Sequence, residues 1–244
     1  MLKKQTIPIV LLHGWSATIT VEKYGELKKL LETEGYIVYT PYLPGFGDNP
    51  LPKEELFFDD YVAFVHEFIT KKIKAQKAIL MGHSFGGRVA IRFTSLYPSL
   101  VEKLVLIDAS GIQRSLPSTK KRIVYFATKI TRPLFSVVPF SLFYRFFRKA
   151  VYLAIGEMDY YSAGKLTKTF KNVYKIDVSE DLKKIGVPTL IVWGELDTTT
   201  PLVDGKYMHS YISGSKFVII PGATHKLPNE RPKELAQTIL PFLV

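Results

Sequence analysis

The stretch ILMGHSFGGRVAI, residues 79–91, decides the fold of this chain. Four apolar residues typical of a β-strand lead directly into the run GHSFGG, after which the chain continues as a helix. A plain turn needs one glycine, whereas here one glycine stands two residues before Ser84 and another stands two residues after it. Small residues at these two positions let the following helix pack closely on neighbouring strands. The spacing therefore predicts a sharp strand-to-helix turn that pushes the Ser84 hydroxyl out above a sheet.

Short apolar runs rich in Val and Ile recur along the chain on both sides of this turn. They predict six strands: Ile7–Leu12, Ile37–Thr40, Ala78–Met81, Leu104–Ile107, Thr189–Trp193 and Lys216–Ile220. Continuous apolar strands are typical of a parallel sheet that is covered on both faces. Helical segments alternate with these strands, among them VEKYGELKKLLETEG, FFDDYVAFVHEFITKKIK and RPKELAQTILPFL. The alternation predicts the α/β class, with a doubly wound and mostly parallel sheet.

Residues 112–176 interrupt this alternation. The formal net charge of the chain is +11, and this segment holds thirteen Lys and Arg residues against only Glu157 and Asp159. It is also rich in aromatic residues and contains prolines that break helical patterns, as in RIVYFATKITRPLFSVVPFSLFYRFFRKAVY. The composition predicts an insertion of short helices between two parts of one α/β core, residues 1–111 and 177–244.

The overall composition limits the possible function classes. The chain has 244 residues, of which 47% are hydrophobic and 23% are charged, as expected for a soluble domain with a sizeable core. The absence of cysteine excludes disulfides, thiolate metal ligands and a cysteine nucleophile. The apolar run near the N-terminus is too short for a signal peptide, and no apolar stretch has the length of a membrane span. We therefore expect a soluble protein with a cytoplasmic location.

A serine hydroxyl is a weak nucleophile, so a catalytic Ser84 requires a base and an acid elsewhere in the chain. Asp197 follows the strand in LIVWGELDTTTP, and His225 follows the strand in KFVIIPGATHKLPNERP. Because sites in doubly wound sheets form beyond the carboxyl ends of the strands, these residues are expected to meet near Ser84. Asp108 in VLIDAS is a rival acid, since it also stands at a strand end. The other histidines are expected to have structural or surface roles: His13, His66, His83 and His209.

Five segments occur in the order found in one large family: LLHGW, YLPGFGDNP, GHSFGG, VPTLIVWGELD and PGATHKLPNERP. In these segments the chain resembles the α/β-hydrolase superfamily, over nearly its whole length. The resemblance implies an α/β-hydrolase fold with a catalytic triad in the family's order, Ser84, Asp197 and His225. It also implies an oxyanion hole made by the backbone N–H groups of Trp15 and Phe85. It implies neither a metal ion nor an organic cofactor.

By the same resemblance, residues 112–176 correspond to the helical cap that many of these enzymes carry over the active site. The substrate pocket is then expected to be lined by aromatic side chains, which are Trp15, Phe126, Phe143 and Phe147. The basic cap predicts either a solvated face or a weak attraction for anionic substrates or anionic membrane lipids. It carries no motif of a nucleic-acid reader, so nucleic acid is not an expected partner.

Taken together, these residues predict a serine hydrolase, with carboxylesterase activity on a small-molecule ester that has an apolar acyl or alcohol part. Carbon–carbon bond hydrolysis and the hydrolysis of thioesters or lactones need the same parts and stay open. GHSFGGR, with Arg88 four residues after the serine, also resembles a menaquinone-pathway lyase, although that enzyme usually has tyrosine where this chain has His83. A peripheral membrane-binding protein is the alternative outside the enzymes, because the cap segment is basic and aromatic.

Overall fold

The computed structural model describes residues 7–15, 21–50, 55–112 and 166–244. In these residues six strands form one sheet: β1 (Ile9–Leu12), β2 (Val38–Tyr39), β3 (Ala78–His83), β4 (Val101–Ile107), β5 (Thr189–Gly194) and β6 (Lys216–Ile220). The strand order is β2-β1-β3-β4-β5-β6, and every neighbouring pair is parallel. The predicted α/β class and parallel sheet are confirmed. Because all strands run the same way, their carboxyl ends meet at one edge of the sheet.

Continuous apolar sequence explains the inner strands. Every residue of β1, β3 and β5 is buried, because helices cover both faces of the sheet. The predicted strands match the observed ones to within three residues at each end. β6 differs in burial, because it is an edge strand, and only Ile220 of its five residues is buried.

Eight α-helices connect and follow the strands within the described ranges: α1 (Gly25–Thr33), α2 (Phe58–Glu67), α3 (Phe85–Leu96), α4 (Thr167–Tyr174), α5 (Ser179–Leu182), α6 (Leu202–Tyr211), α7 (Leu227–Glu230) and α8 (Pro232–Leu243). Short 3₁₀ turns precede α1 and β4, at Val21–Tyr24 and Pro98–Leu100, and α2 continues as a π-helical turn at Phe68–Lys72. Gly35, just after α1, has a φ of 89°, the left-handed conformation with which glycine commonly ends a helix.

Two hydrophobic clusters flank the sheet. One contains buried residues of α2, α3 and α4, and the other contains buried residues of α1 and α8. Successive residues of β3 contribute to opposite clusters: Leu80 packs in the first, whereas Ile79 and Met81 pack in the second. This burial on both faces makes the sheet doubly wound and holds the strand ends in place.

The predicted insertion, residues 112–176, lies mostly outside the described residues. Its division from the two core parts therefore stays a prediction. Three of the predicted pocket residues also lie outside the described ranges, namely Phe126, Phe143 and Phe147. The described end of the segment contains α4, whose Phe170 and Val173 are buried with the core. In the part of the chain that the structure describes, no helix is long and apolar enough to cross a membrane.

Candidate active site

Ser84 stands at the turn between β3 and α3. Its φ of 52° and ψ of −117° lie in a region that residues with a side chain rarely adopt. Such a conformation typically costs roughly 1–3 kcal/mol. Ser84 N–H donates to the carbonyl oxygen of Ile107 at 3.1 Å, and the Ser84 carbonyl accepts from Ser110 N–H (3.0 Å) and Arg88 N–H (3.2 Å). The strained backbone is therefore tied to the end of β4 on one side and to α3 on the other.

The two glycines around Ser84 are required by close approach of the backbone. A Cβ added at Gly82 would lie 2.5 Å from the carbonyl oxygen of Gly86. A Cβ added at Gly86 would overlap the carbonyl oxygen of Leu12 in β1. Only a residue without a side chain fits between these backbone atoms. The glycine spacing thus lets α3 begin directly against the neighbouring strands.

The structure brings Ser84, Asp197 and His225 together although they are far apart in the sequence. His225, in the loop after β6, has its Nε2 atom 3.0 Å from Ser84 Oγ. Its Nδ1 atom lies 2.7 Å from Oδ2 of Asp197, in the loop after β5. Because a carboxylate only accepts, Nδ1–H donates to Asp197, which leaves Nε2 to accept from the Ser84 hydroxyl. The imidazole is thus in the tautomer that a general base needs.

Asp197 is held by its own loop. The N–H groups of Thr199 (2.8 Å) and Thr200 (2.9 Å) donate to its Oδ1 atom, and the Thr200 hydroxyl donates to Oδ2 at 2.7 Å. Burial would raise the pKa of this carboxyl, but hydrogen bonds from His225 and Thr200 and the charge of His225 lower it below its usual value. The carboxylate therefore stays ionised at neutral pH. The role of Thr200 cannot be predicted from the sequence, where its only signal is a hydroxyl three residues after the acid.

Asp108, the rival acid, lies just after the end of β4 and is fully buried. Its Oδ1 atom accepts a hydrogen bond from Gly194 N–H at 2.7 Å. The hydrogen bond to the His225 imidazole is made by Asp197. The geometry thus favours Asp197 as the partner of the imidazole and leaves Asp108 as a second carboxyl nearby.

His83 anchors the loop that carries His225. Its Nε2 atom lies 2.9 Å from the carbonyl oxygen of His225, and its Nδ1 atom lies 2.9 Å from the Tyr24 hydroxyl. A carbonyl only accepts, so Nε2–H donates to His225 and Nδ1 accepts the Tyr24 proton. The Tyr24 oxygen in turn accepts from Gly14 N–H at 3.0 Å. Tyr24, which has no distinguishing signal in the sequence, thus links the loop after β1 to the turn at Ser84.

His13 fixes the shape of the loop after β1. Leu43 N–H donates to its Nε2 atom at 2.9 Å, so its Nδ1–H donates to the carbonyl oxygen of Gly14 at 2.8 Å. Burial lowers the pKa of His13 to about 4 and the pKa of His83 to about 3. Both rings are therefore neutral at physiological pH and act as fixed hydrogen-bonding groups.

The burial of His13 and His83 predicts acid-sensitive stability. Between the ordinary pKa of 6.5 and the lowered values near 4 and 3, the unfolded chain binds protons that the folded protein does not. Stability therefore falls as the pH falls through this window. Each histidine is expected to lower the free energy of unfolding by about 1.4 kcal/mol per pH unit, or about 4 kcal/mol for the pair at about pH 5.

Urea titrations at about pH 7 and about pH 5 measure the net change in stability. The raised pKa of Asp108 acts in the opposite direction over the same window, so the histidine part is obtained by comparison with a variant that lacks one histidine. His83→Gln is expected to remove about half of the histidine contribution, because glutamine keeps a donor for the His225 carbonyl but does not titrate. His209→Asn, a change at an exposed histidine, is expected to leave the loss unchanged. A loss in His83→Gln equal to that of the unaltered protein would contradict the prediction.

The loop after β1 runs directly against Ser84. A Cβ added at Gly14 would lie 3.0 Å from the Cβ of Ser84. Trp15 follows Gly14 in this loop. Phe85 is the first residue of α3, and its N–H is one of the first-turn groups that have no partner inside a helix. The two backbone segments expected to form the oxyanion hole therefore both adjoin Ser84.

Aromatic rings surround the Trp15 side chain, which is 7% exposed. Its ring centroid lies 4.9 Å from Phe46, 5.1 Å from Phe170 and 5.3 Å from Phe85, with the rings meeting edge to face. The indole thus fixes the loop after β1 against α3 and α4. The contact with Phe170 cannot be predicted, because nothing in the sequence indicates which aromatic residue of the predicted cap meets Trp15.

The sequence model of the alpha/beta hydrolase family matches residues 9–238, which is nearly the whole chain. The chain belongs to this family.

Relatives of this hydrolase act on different substrates. The pimeloyl-[acyl-carrier protein] methyl ester esterase of Wigglesworthia glossinidia brevipalpis is 26% identical to this chain. The alignment covers 90% of this chain and 87% of the esterase. A second relative is the 2-hydroxy-6-oxo-6-(2'-aminophenyl)hexa-2,4-dienoic acid hydrolase of Metapseudomonas resinovorans. It is 25% identical to this chain, and the alignment covers 97% of this chain and 83% of that hydrolase. The crystal structure of a bromoperoxidase from Bacillus anthracis has a TM-score of 0.73 and 26% identity, covering 98% of this chain and 92% of that chain.

Arg88 of the hydrolase holds the end of α4. Its Nη1 atom donates to the carbonyl oxygens of Val173 (2.7 Å) and Tyr174 (3.2 Å), which belong to the last turn of that helix. Burial lowers the pKa of Arg88 to about 10, so the guanidinium stays charged at neutral pH. A guanidinium engaged with helix carbonyls is poorly placed to anchor an anionic substrate. This contact argues against the lyase alternative.

Among the described residues of the hydrolase, one group of three side chains brings potential metal-ligand atoms within 4.8 Å of one another: His83, Asp108 and His225. The ring nitrogens of both histidines are already hydrogen-bonded within the protein. We therefore assign this cluster to the hydrogen-bond network around Ser84 and not to a metal site.

The two remaining histidines have contacts of their own. His66 packs against the ring of Tyr97, with centroids 4.7 Å apart. His209 shares a hydrogen bond of 2.8 Å between its Nδ1 atom and the Ser215 hydroxyl. These contacts fit the surface and packing roles that the sequence suggests for both.

Proposed function

We propose that this hydrolase cleaves carboxylic esters through a covalent acyl-enzyme on Ser84. The observation that carries the proposal is the continuous hydrogen-bond chain from Ser84 Oγ through His225 to Asp197, with distances of 3.0 and 2.7 Å. A sharp turn presents the hydroxyl, a neutral ring nitrogen accepts its proton, and an ionised carboxylate orients the ring. These are the parts that nucleophilic catalysis by serine requires.

In the first half of the proposed reaction, Ser84 Oγ attacks the carbonyl carbon of the ester while His225 Nε2 takes the hydroxyl proton. The bond between the carbonyl carbon and the alcohol oxygen then breaks, and His225 gives the proton to that oxygen. Asp197 accepts Nδ1–H throughout, so it keeps the ring oriented and stabilises the charged imidazolium. The alcohol leaves, and the acyl group remains on Ser84.

The tetrahedral intermediate carries a negative charge on the former carbonyl oxygen. We infer that the backbone N–H groups of Trp15 and Phe85 donate to this oxygen. Donors of this kind stabilise charge that develops only in the transition state, and the loss of one typically costs about 3–4 kcal/mol. The N-terminus of α3 at Phe85 adds the positive end of a helix dipole beside the same oxygen.

Water completes the proposed cycle. His225 Nε2 takes a proton from a water molecule, whose oxygen attacks the acyl carbon. The bond to Ser84 Oγ breaks, and His225 returns the proton to the serine. The products are a carboxylic acid and the free enzyme, so the reaction consumes only ester and water.

The expected substrate is a small ester with an apolar acyl or alcohol part. The aromatic rings of Trp15, Phe85 and Phe170 beside the turn at Ser84 support this inference, and one relative acts on a methyl ester. Hydrolysis of a carbon–carbon bond is the second candidate, because another relative of similar identity acts on a dienoic acid. The basic charge of residues 112–176 supports a weak attraction for anionic substrates or anionic membranes.

A fluorophosphonate probe is expected to label the protein on Ser84 alone, because His225 activates only this hydroxyl. Ser84→Ala should abolish labelling, whereas Ser210→Ala, at an exposed serine of α6, should label like the unaltered protein. Peptide mass spectrometry locates the adduct. An adduct on another serine, or none at all, would refute the acyl-enzyme proposal.

A series of p-nitrophenyl esters of increasing acyl length, measured beside a thioester and a dienoic acid, separates the candidate reactions. We expect the highest kcat/KM on an ester with an apolar acyl chain. A higher value on the dienoic acid would select carbon–carbon bond hydrolysis instead.

A further inference from the structure

Asp108 is a buried titratable group that the proposed reaction does not use. Its φ of 44° is a strained conformation for a residue with a side chain. Its N–H donates to the carbonyl oxygen of Val192 at 3.0 Å, and its carbonyl oxygen lies 3.0 Å from the Thr200 hydroxyl oxygen. Its Oδ1 atom accepts from Gly194 N–H at 2.7 Å. These contacts with β5 and the following loop hold the carboxyl in one orientation.

The Asp108 carboxyl faces the residues around Ser84. One of its oxygens lies within 4.8 Å of a ring nitrogen of His83 and of His225. The Asp197 carboxylate contacts the same His225 ring, with its Oδ2 atom 2.7 Å from Nδ1. The Asp108 Oδ2 atom is buried, and no group in the described ranges donates to it. Among the described residues, the titratable groups that face Asp108 are Asp197 after β5, His225 after β6 and His83 at the end of β3.

We propose that Asp108 sets the pH range in which His225 works as a base, acting through its charge and without touching the substrate. The proposal rests on the function proposed above, and it makes Asp108 a positioning residue. Two carboxyls this close resist ionising together, so Asp108 keeps its proton while Asp197 is ionised. Protonation of Asp108 leaves a single negative charge, that of Asp197, beside the imidazole.

A rise in pH changes this arrangement. Burial raises the pKa of Asp108 to about 7, against the opposing effect of the Gly194 N–H and with the added effect of the Asp197 charge. Above this pH a second carboxylate faces His225 and favours the charged imidazolium, which cannot accept the Ser84 proton. Asp108 therefore moves the onset of base function to higher pH.

Asp108→Asn isolates the charge from the structural contacts. Asparagine has nearly the same shape and keeps an acceptor for Gly194 N–H, but it does not ionise. Asp181→Asn is the matched control, because Asp181 is also buried but pairs with Arg92 and Ser95, away from the residues that face Asp108.

The rate of fluorophosphonate labelling at Ser84, measured from about pH 5 to about pH 9, tests the proposal. We expect Asp108→Asn to move the midpoint of the acid limb down by about one to two pH units, the effect of removing one charge about 5 Å away at an effective dielectric constant between about 20 and 50. Asp181→Asn is expected to leave the midpoint unchanged. A curve for Asp108→Asn that superimposes on the unaltered protein's curve, or moves to higher pH, overturns the proposal.

An infrared measurement covers the case in which Asp108→Asn does not fold. The unaltered protein should show the C=O stretch of a protonated carboxyl at about pH 6, and this band should vanish by about pH 8. Its absence at the lower pH overturns the proposal. This measurement needs no turnover, so it remains decisive if Ser84 is not labelled and the proposed esterase function fails.

Discussion

Ser84→Ala is expected to lower kcat on the best ester by about a million-fold while leaving the fold intact, because the only covalent route to the product is removed. His225→Ala should cost about as much, since an unactivated serine hydroxyl is nearly unreactive. Steady-state kinetics measure the loss, and circular dichroism checks the fold. The double variant should be no slower than either single variant, because the two groups act as one unit.

The exposed Ser210→Ala variant serves as the control for expression and handling, and it should retain full activity. A Ser84→Ala enzyme that keeps more than about a tenth of the original kcat would show that the hydroxyl is not the nucleophile. The reaction would then have to proceed by direct attack of water.

Asp197→Asn is expected to lower kcat by about ten-thousand-fold. The Asp197 carboxylate accepts Nδ1–H of His225 at 2.7 Å and so presents Nε2 to Ser84 as an acceptor. An asparagine amide can turn its NH₂ group toward Nδ1, which favours the opposite tautomer and removes the acceptor that Ser84 needs. The pH dependence of kcat/KM, measured with the same ester, gives the size of the loss.

Asp108→Asn is the matched comparison, because Asp108 is also an aspartate after a neighbouring strand. It should keep kcat within about threefold at neutral pH, since the His225 tautomer does not depend on it. If Asp108→Asn were as inactive as Ser84→Ala while Asp197→Asn kept its activity, the acid would have to be reassigned to Asp108.

The sheet could be predicted from the sequence because its inner strands are buried on both faces and therefore read as uninterrupted apolar runs. The strand ends were harder to predict. β4 begins at Val101, three residues before its predicted start. The prediction missed these residues because Glu102 and Lys103 are polar and only partly buried, and they interrupt the apolar run that marks a strand. Glu102 pairs with Lys77 at 2.9 Å, and Lys103 donates to the carbonyl of Phe242 at 2.8 Å. Such contacts exist only in the folded chain.

The meeting of the three candidate site residues was also predictable, because parallel strands bring their carboxyl ends to one edge. The choice between Asp108 and Asp197 was not decided by strand position, since both follow a strand. The loop geometry separates them: Asp197 reaches the His225 ring, whereas Asp108 turns to Gly194 N–H. Tyr24 and Thr200 gave no local signal, because their roles arise from contacts between distant segments.

The residues of the candidate site lie far apart in the sequence, and this separation affects a chain that is still being synthesised or folded. Ser84 and His225 are separated by 141 positions, and their hydrogen bond requires β3 to β6 to be paired in register. Contacts of such long sequence separation form late, because the chain entropy of closing the loop must be overcome first. Until then Ser84 is an ordinary alcohol without a base. Under the proposed function, topology therefore keeps the nascent chain unreactive, and an incompletely folded molecule cannot attack an ester.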